Sequence, residues 1–247
     1  MNTKYWLRHF QKNRLDRPEP DWETPPLPVT ETSRLLARSL SHFQLGESGD
    51  GRCLLTDARY RYADDPDYCA ALALFIAEEQ EHARLLGRLL PRLGGAPISR
   101  HWTHGLFRVI RQALGVNFEL QVLVIAELAG TGYYRLLQRH AADPVLVQLC
   151  DLVLADERHH VDFHAERFAA NHAEWLPIER GAWAAQFQAL FLAAVGVVWL
   201  DHGNALRSLG CTRRDFLREA RRECIRFFGQ LSRPHPAGAP GALPVSV

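Results

Sequence analysis

Between Leu72 and Leu89 apolar residues recur at steps of three and four, and Glu79 and His82 occupy two of the positions in that stripe. The step is the period of an α-helix with one face turned to a core. An acid and an imidazole on such a face must find partners there, because an unpaired buried carboxylate costs several kcal/mol. The pattern recurs three times. Leu36, Leu40 and Phe43 lead to Glu47 and then Leu54; Leu120 and Val124 lead to Glu127, Thr131 and Tyr134; Leu146, Cys150 and Val153 lead to Glu157, His160 and His164. Four segments each turn one acid inward, and two of them add a His one turn later.

No stretch sustains period-2 alternation and no fixed-period repeat covers the chain, so the expected fold class is all-α, built from long helices. Residues 30 to 60, 66 to 93, 101 to 140 with a break near Gly115, 144 to 171, 180 to 208 and 212 to 231 are the expected helices. DDPD at 64–67 and AADP at 141–144 are start signals, GGAP at 94–97 a stop, and Thr212 with Asp215 a capping box. The stretch QLGESGDGRC at 44–53 holds three glycines, yet the apolar phase runs through it. It is read as helix with a local irregularity, such as a π-bulge, at 49–51.

A chain of 247 residues that is 47% hydrophobic can bury one substantial core, and no shift in composition divides it. The domain reading is a Pro-rich segment over 1–30, one helical domain over 31–232, and a disordered Pro/Gly tail over 233–247. Within the domain, the first four acid-bearing helices cover about 31–171 and extra helices about 180–231. With a formal net charge of +1 there is no electrostatic case for nucleic acid or an anionic membrane. The Arg cluster between 213 and 226 is interleaved with Asp215, Glu219 and Glu223, as on a solvated helix face. Cys53, Cys69, Cys150, Cys211 and Cys224 are too scattered for a CxxC site and read as free thiols of a reducing compartment. MNTKYWLRHF lacks the apolar core of a secretory leader, so a cytoplasmic location is expected. Residues 183 to 200 are apolar enough to span a bilayer but are read as a buried helix, with no membrane span.

A shared cation resolves the problem of four inward acids. Two divalent ions balance four carboxylates, and two neutral imidazoles complete the set. The i, i+3 spacing of Glu79-x-x-His82 and Glu157-x-x-His160 puts both side chains of each pair on one helix face, as chelation of one ion requires. Mixed carboxylate and imidazole ligation suits iron or manganese rather than a thiolate zinc site. Chance alone supplies about one Glu-x-x-His in a chain of this composition, so a single copy is weak. The spacing carries the weight: thirty-two residues separate Glu47 from Glu79 and thirty separate Glu127 from Glu157.

This constellation resembles the ferritin-like superfamily of di-iron carboxylate proteins, whose four-helix bundles take a Glu from each of two helices and Glu-x-x-His from the other two. The resemblance covers about residues 31 to 171. It implies a ferritin-like four-helix bundle with additional C-terminal helices, and it implies Glu47, Glu79, His82, Glu127, Glu157 and His160 as metal ligands, with Glu79 and Glu157 as bridges. The implied cofactor is two Fe ions cycling between Fe2+ and Fe3+, with Mn as the alternative. His160, the second His, is similar to the oxygen-activating branch rather than to storage ferritins. The cysteines lack a rubrerythrin-type four-cysteine iron domain, and Leu86 stands where reductase small subunits carry a radical Tyr. Thr131, one turn past Glu127, matches a Thr that several di-iron hydroxylases use, and is the expected catalytic residue.

The function so implied is a non-haem di-iron oxidase or oxygenase that uses O2 on a small apolar or carrier-bound organic substrate. Phe75, Ile76, Leu86, Val124 and Val153 are expected to form its dry pocket. No flavin, NAD(P)H or iron–sulfur motif is recognisable, so a separate reductase or ferredoxin is the expected electron donor. The extra helices would cover the cavity or build a homodimer interface. The alternative is an iron-handling protein that oxidises and sequesters iron or scavenges peroxide; a mainly structural manganese or zinc site is the third reading. Tyr134 is read as an ordinary core residue, His164 as an orienting partner or surface residue, and His159 as off the stripe. Asp201 and His202 are read as an exposed helix end, with a role near the cavity mouth left open.

Overall fold

The computed structural model describes residues 1–101 and 115–232, and it is all-helical: no strand occurs among the described residues. The elements are α1 (Thr3–Leu15), α2 (Glu31–Glu47), α3 (Arg52–Arg61), α4 (Pro66–Leu89) with a 3-10 turn at Leu90–Leu93, α5 (Val116–His140), α6 (Pro144–Asn171), α7 (Pro177–Ser208) and α8 (Arg213–Leu231). Local chemistry sets most boundaries. Thr30 and Ser33 cap α2 reciprocally, as Thr212 and Asp215 cap α8. Asp65 accepts from Tyr68 N at the start of α4, and Asp143 accepts from Val145 N and Leu146 N at the start of α6, each followed by Pro at N1. Gly94, at φ +83°, ends the 3-10 turn. The expected stretch 102–114 and the tail at 233–247 lie outside the described residues.

Two boundaries differ from the sequence reading. The helix expected to run from 30 to 60 is broken: α2 ends at Glu47, and α3 starts after Gly51. Gly51 sits at φ +60°, and a Cβ there would come within 2.5 Å of Ile76 Cδ1, so the chain turns at a point where only glycine fits. QLGESGDGRC is therefore a turn with Glu47 as its last helical residue. The segment 1–30, read as Pro-rich and irregular, begins with the 13-residue helix α1. Its Trp6 and Phe10 are buried and meet Phe163 of α6 with ring centroids 5.6 and 5.3 Å apart. The rest of that segment is held by Arg92, which donates to Asp143, Thr24 O and Pro25 O, and by Arg88 over the Trp22 ring.

Helix α4 packs on α1, α2 and α6, and α5 packs on α6 and α8. Helix α7 lies against both α2 and α5, and at the α5–α8 crossing Gly132 lets the backbone of Ala220 approach. The core is continuous through all of these contacts. Helix α7 is less buried than expected of residues 183 to 200. Trp183, Phe187, Phe191 and Val195 face inward, whereas Leu192 and Leu200 are 65% and 80% exposed. It is the one described helix long and apolar enough to cross a membrane, by length and composition only.

Candidate metal centre

The six expected ligand residues come together from four helices. Glu47 closes α2, Glu79 and His82 lie in the middle of α4, Glu127 in α5, and Glu157 and His160 in α6. His160 Nδ1 is 3.0 Å from Glu79 Oε1 and 3.8 Å from Glu157 Oε2. His82 Nδ1 is 3.8 Å from both Glu79 Oε1 and Glu157 Oε1. Ligand atoms of Glu79, His82 and Glu157 all fall within 4.8 Å of one another, the spacing that a shared ion needs. Glu47, Glu79, Glu127 and Glu157 also line one common cavity.

Each imidazole is held from behind by an acid on the opposite helix. His82 Nε2 donates to Asp156 Oδ2 at 2.9 Å, and His160 Nε2 donates to Glu78 Oε2 at 3.0 Å. The arrangement is crossed: Asp156 immediately precedes Glu157 and braces the His of α4, while Glu78 immediately precedes Glu79 and braces the His of α6. Residues one apart on a helix differ by about 100° in direction, so one acid can face the centre while its neighbour faces the adjoining helix. Arg17, in the strand of chain that follows α1, joins both braces. Its Nη1 is 3.5 Å from Glu78 Oε1, and its Nη2 is hydrogen-bonded to Asp156. None of these three residues lies on an apolar stripe. The signal that could have found two of them is the acid directly before each Glu-x-x-His.

With Nε2 engaged, both rings turn Nδ1 inward, and there the polar atoms run out of partners. Glu47 Oε2, Glu79 Oε1, His82 Nδ1, both oxygens of Glu127, Glu157 Oε2 and His160 Nδ1 are buried with no well-aligned hydrogen bond among the described residues. Every one of the six expected ligands contributes at least one such atom. Native interiors carry few unsatisfied polar groups, so this many at one place calls for a further occupant. The donor set, four carboxylates and two imidazoles, could hold a divalent metal ion.

Proton affinities show what the cluster does for itself. Burial pushes the Glu47 carboxyl up to about 8, and burial together with Glu79 holds Glu157 well above the carboxylate range. Burial also works against a charged His160, but Glu78 and Glu79 outweigh it and raise the imidazole well above its ordinary value; at His82, Asp156, Glu79 and Glu47 do the same to a smaller extent. At Asp156 burial is again outweighed, by His82, His160 and Arg17, and the carboxyl stays at about 2. The cluster thus retains protons that a cation would displace.

Tyr134, read from sequence as ordinary core, donates its hydroxyl to Glu47 Oε1 at 3.0 Å and lines the cavity. Thr131 is buried one turn past Glu127, and its hydroxyl makes no hydrogen bond, not even to its own helix backbone. His164 is buried rather than at the surface, with Nε2 3.3 Å from Glu127 Oε1. His159 contacts Ala155 O and the ring of His9, away from the cluster.

The cavity has a volume of about 330 Å³. The expected pocket residues do not line it: Phe75, Ile76, Leu86, Val124 and Val153 are packed into the core, with Phe75 edge-on against His160. The apolar walls come instead from Val122, Ile125, Ala126 and Ala129 of α5 and from Leu190, Ala194, Val197 and Val198 of α7. The reason is packing. Helix α7 bridges α2 and α5, and its small residues leave the space open along that side. His42, Asp201 and His202 also line the cavity. Asp201 and His202 were expected at an exposed helix end, but His202 is 7% exposed and both face the cavity. Compared with known families, curated proteins and solved structures, the chain matches none.

Proposed function

We propose that this chain is a di-iron protein of the ferritin-like kind, with α2, α4, α5 and α6 as its metal-binding bundle, and that it acts as an oxygen-dependent oxidase or oxygenase on an organic substrate. The observation that carries the reading is the set of orphaned, inward-facing atoms contributed by all six residues Glu47, Glu79, His82, Glu127, Glu157 and His160. A pair of iron ions held there would supply reversible one-electron redox chemistry and a place for O2. The side chains do the rest. Glu78 and Asp156 fix the ring orientation of the two histidines, and Arg17 fixes the two acids. Tyr134 holds one oxygen of Glu47 and leaves the other facing the cluster. Thr131 offers an uncommitted hydroxyl beside Glu127, suited to receive or pass a proton.

The apolar cavity favours an organic substrate over iron storage. Its apolar lining suits an aliphatic or aromatic group, and the four acids line the same space. Electrons then come from a separate protein, a reductase or ferredoxin.

Anaerobic Fe(II) titration followed by exposure to O2 tests this reading. Uptake should stop near two irons per chain, and continued uptake into a soluble mineral would instead establish iron storage. Glu79→Ala and Glu157→Ala should each abolish binding of the pair; full metal content in both variants would refute the ligand assignment.

A further inference from the structure

A second group of metal-competent side chains lines the same cavity. His42 Nδ1 is 2.9 Å from Asp201 Oδ2, and His202 Nε2 is 3.4 Å from the same oxygen. One ligand atom from each of the three residues falls within 4.8 Å of the others. His42 precedes Glu47 by five residues on α2, about 7.5 Å along the helix axis, so the group is separate from the cluster below. His101 stacks on His42 with ring centroids 3.7 Å apart and brings its Nε2 to 3.6 Å from Asp201 Oδ1.

We propose that His42, Asp201 and His202 form a second, mononuclear site for a first-row divalent metal ion, with Zn2+ as the natural occupant. The geometry behind His202 supports it. Ser39 Oγ is 2.8 Å from His202 Nδ1 and 2.6 Å from the Tyr133 hydroxyl, all three buried. This brace fixes the ring and leaves Nε2 as the nitrogen that faces Asp201. Hydroxyls both donate and accept, so Ser39 Oγ can accept a hydrogen bond from Nδ1–H when the lone pair of Nε2 becomes a ligand. Burial also keeps the rings neutral, as ligands must be: it pushes His202 down to about 4 and lowers His42, in both cases against the pull of Asp201. Two neutral imidazoles and one carboxylate select a borderline transition ion over Mg2+ or Ca2+. Donors about 2.0–2.2 Å from such an ion lie roughly 3–3.5 Å apart, close to the distances already present. The ion would pin α7 to α2 across the mouth of the cavity.

The competing account is a plain His42–Asp201 hydrogen bond joining two helices, and metal counting separates the two. The full chain, loaded with Co2+ and freed of excess by gel filtration, should hold one more Co2+ per chain than Asp201→Asn or His42→Gln, and its visible d–d spectrum should lose one component in each variant. The difference of one is independent of the proposed function, because it persists whether the six-residue centre holds two ions or none. Asp201→Asn keeps the size of the side chain, and circular dichroism of the metal-free variants checks that they fold; if one does not, the other carries the comparison. Equal Co2+ content and an unchanged spectrum in a folded variant would overturn the proposal.

Discussion

Arg17 touches two carboxylates that lie 61 and 139 residues away in sequence, and each of those carboxylates orients one histidine of the metal cluster. Removing the guanidinium leaves Glu78 and Asp156 facing one another at a half-dry site with only the imidazoles to hold them. Partners of this kind behind a ligand typically contribute 10- to 100-fold in metal affinity. Arg17→Met should therefore weaken metal binding by roughly that factor while the helices stay folded, and Arg17→Lys should recover part of the loss. Competition against a chromogenic chelator measures both, and unchanged affinity in Arg17→Met would remove Arg17 from the site. A second residue-scale prediction concerns Tyr134. Phe at this position strips from a buried carboxyl the one hydrogen bond it makes among the described residues, a loss of about 1–3 kcal/mol for a group left unsatisfied. Thermal melts of metal-free Tyr134→Phe should show it, and metal should restore most of the difference.

These residues also mark what a sequence can reveal at this scale. The six candidate ligands are legible because each is a polar residue in an apolar stripe, which is a local anomaly. Glu78 and Asp156 stand beside the stripe, where an acid is the ordinary occupant of a helix surface. Arg17 sits among prolines with no periodicity at all. Asp201 and His202 follow an apolar run, and nothing in their own helix says that His42 of α2 lies opposite.

At the scale of the element, caps proved more readable than breaks. Thr30, Asp65, Asp143 and Thr212 each satisfy N–H groups within three residues of themselves, so their signal is complete in the local sequence. The turn after Glu47 is different. Its cause includes a long-range contact, the approach of Ile76 to Gly51, and the apolar phase from Phe43 to Leu54 continues across it by coincidence. Helix α1 has its own signal in Trp6 and Phe10, four residues apart, but the prolines that follow obscured it. Gly51→Ala tests the turn directly. A left-handed φ costs an L-residue roughly 1–2 kcal/mol, and the added methyl must also displace Ile76 Cδ1. The variant should melt several degrees lower and, because Glu47 ends the adjoining helix, should also bind metal more weakly. A loss of stability with metal affinity intact would show that the turn and the ligand are uncoupled.

At the scale of the whole molecule the decisive property is one that no window of the chain contains: four acids from four helices line one cavity, and Glu47 and Glu157 are held protonated there. That has a consequence for stability against pH. Glu47 and Glu157 have raised folded values, so their contribution is complete below the unfolded value near 4.5 and is lost as pH rises through the folded one. His82 and His160, also raised, lose theirs above about 6.5 in the same direction. His9, His172 and His202 are lowered to about 4 and act the other way, but their contribution is fully present above about 6.5. Buried thiols such as Cys150, pushed up by burial, matter only near and above the ordinary cysteine value of about 8.5. Between pH 6.5 and 8 the metal cluster therefore governs. The metal-free protein should lose stability over that interval as Glu47 and its neighbours give up their protons, read as a fall in Tm. Bound metal displaces the same protons, so the slope should flatten or reverse in the loaded protein. Melting curves at pH 6.5 and 8.0, with chelator and with anaerobic Fe(II), measure both slopes. Parallel slopes in the two states would mean that no cation takes the place of the protons.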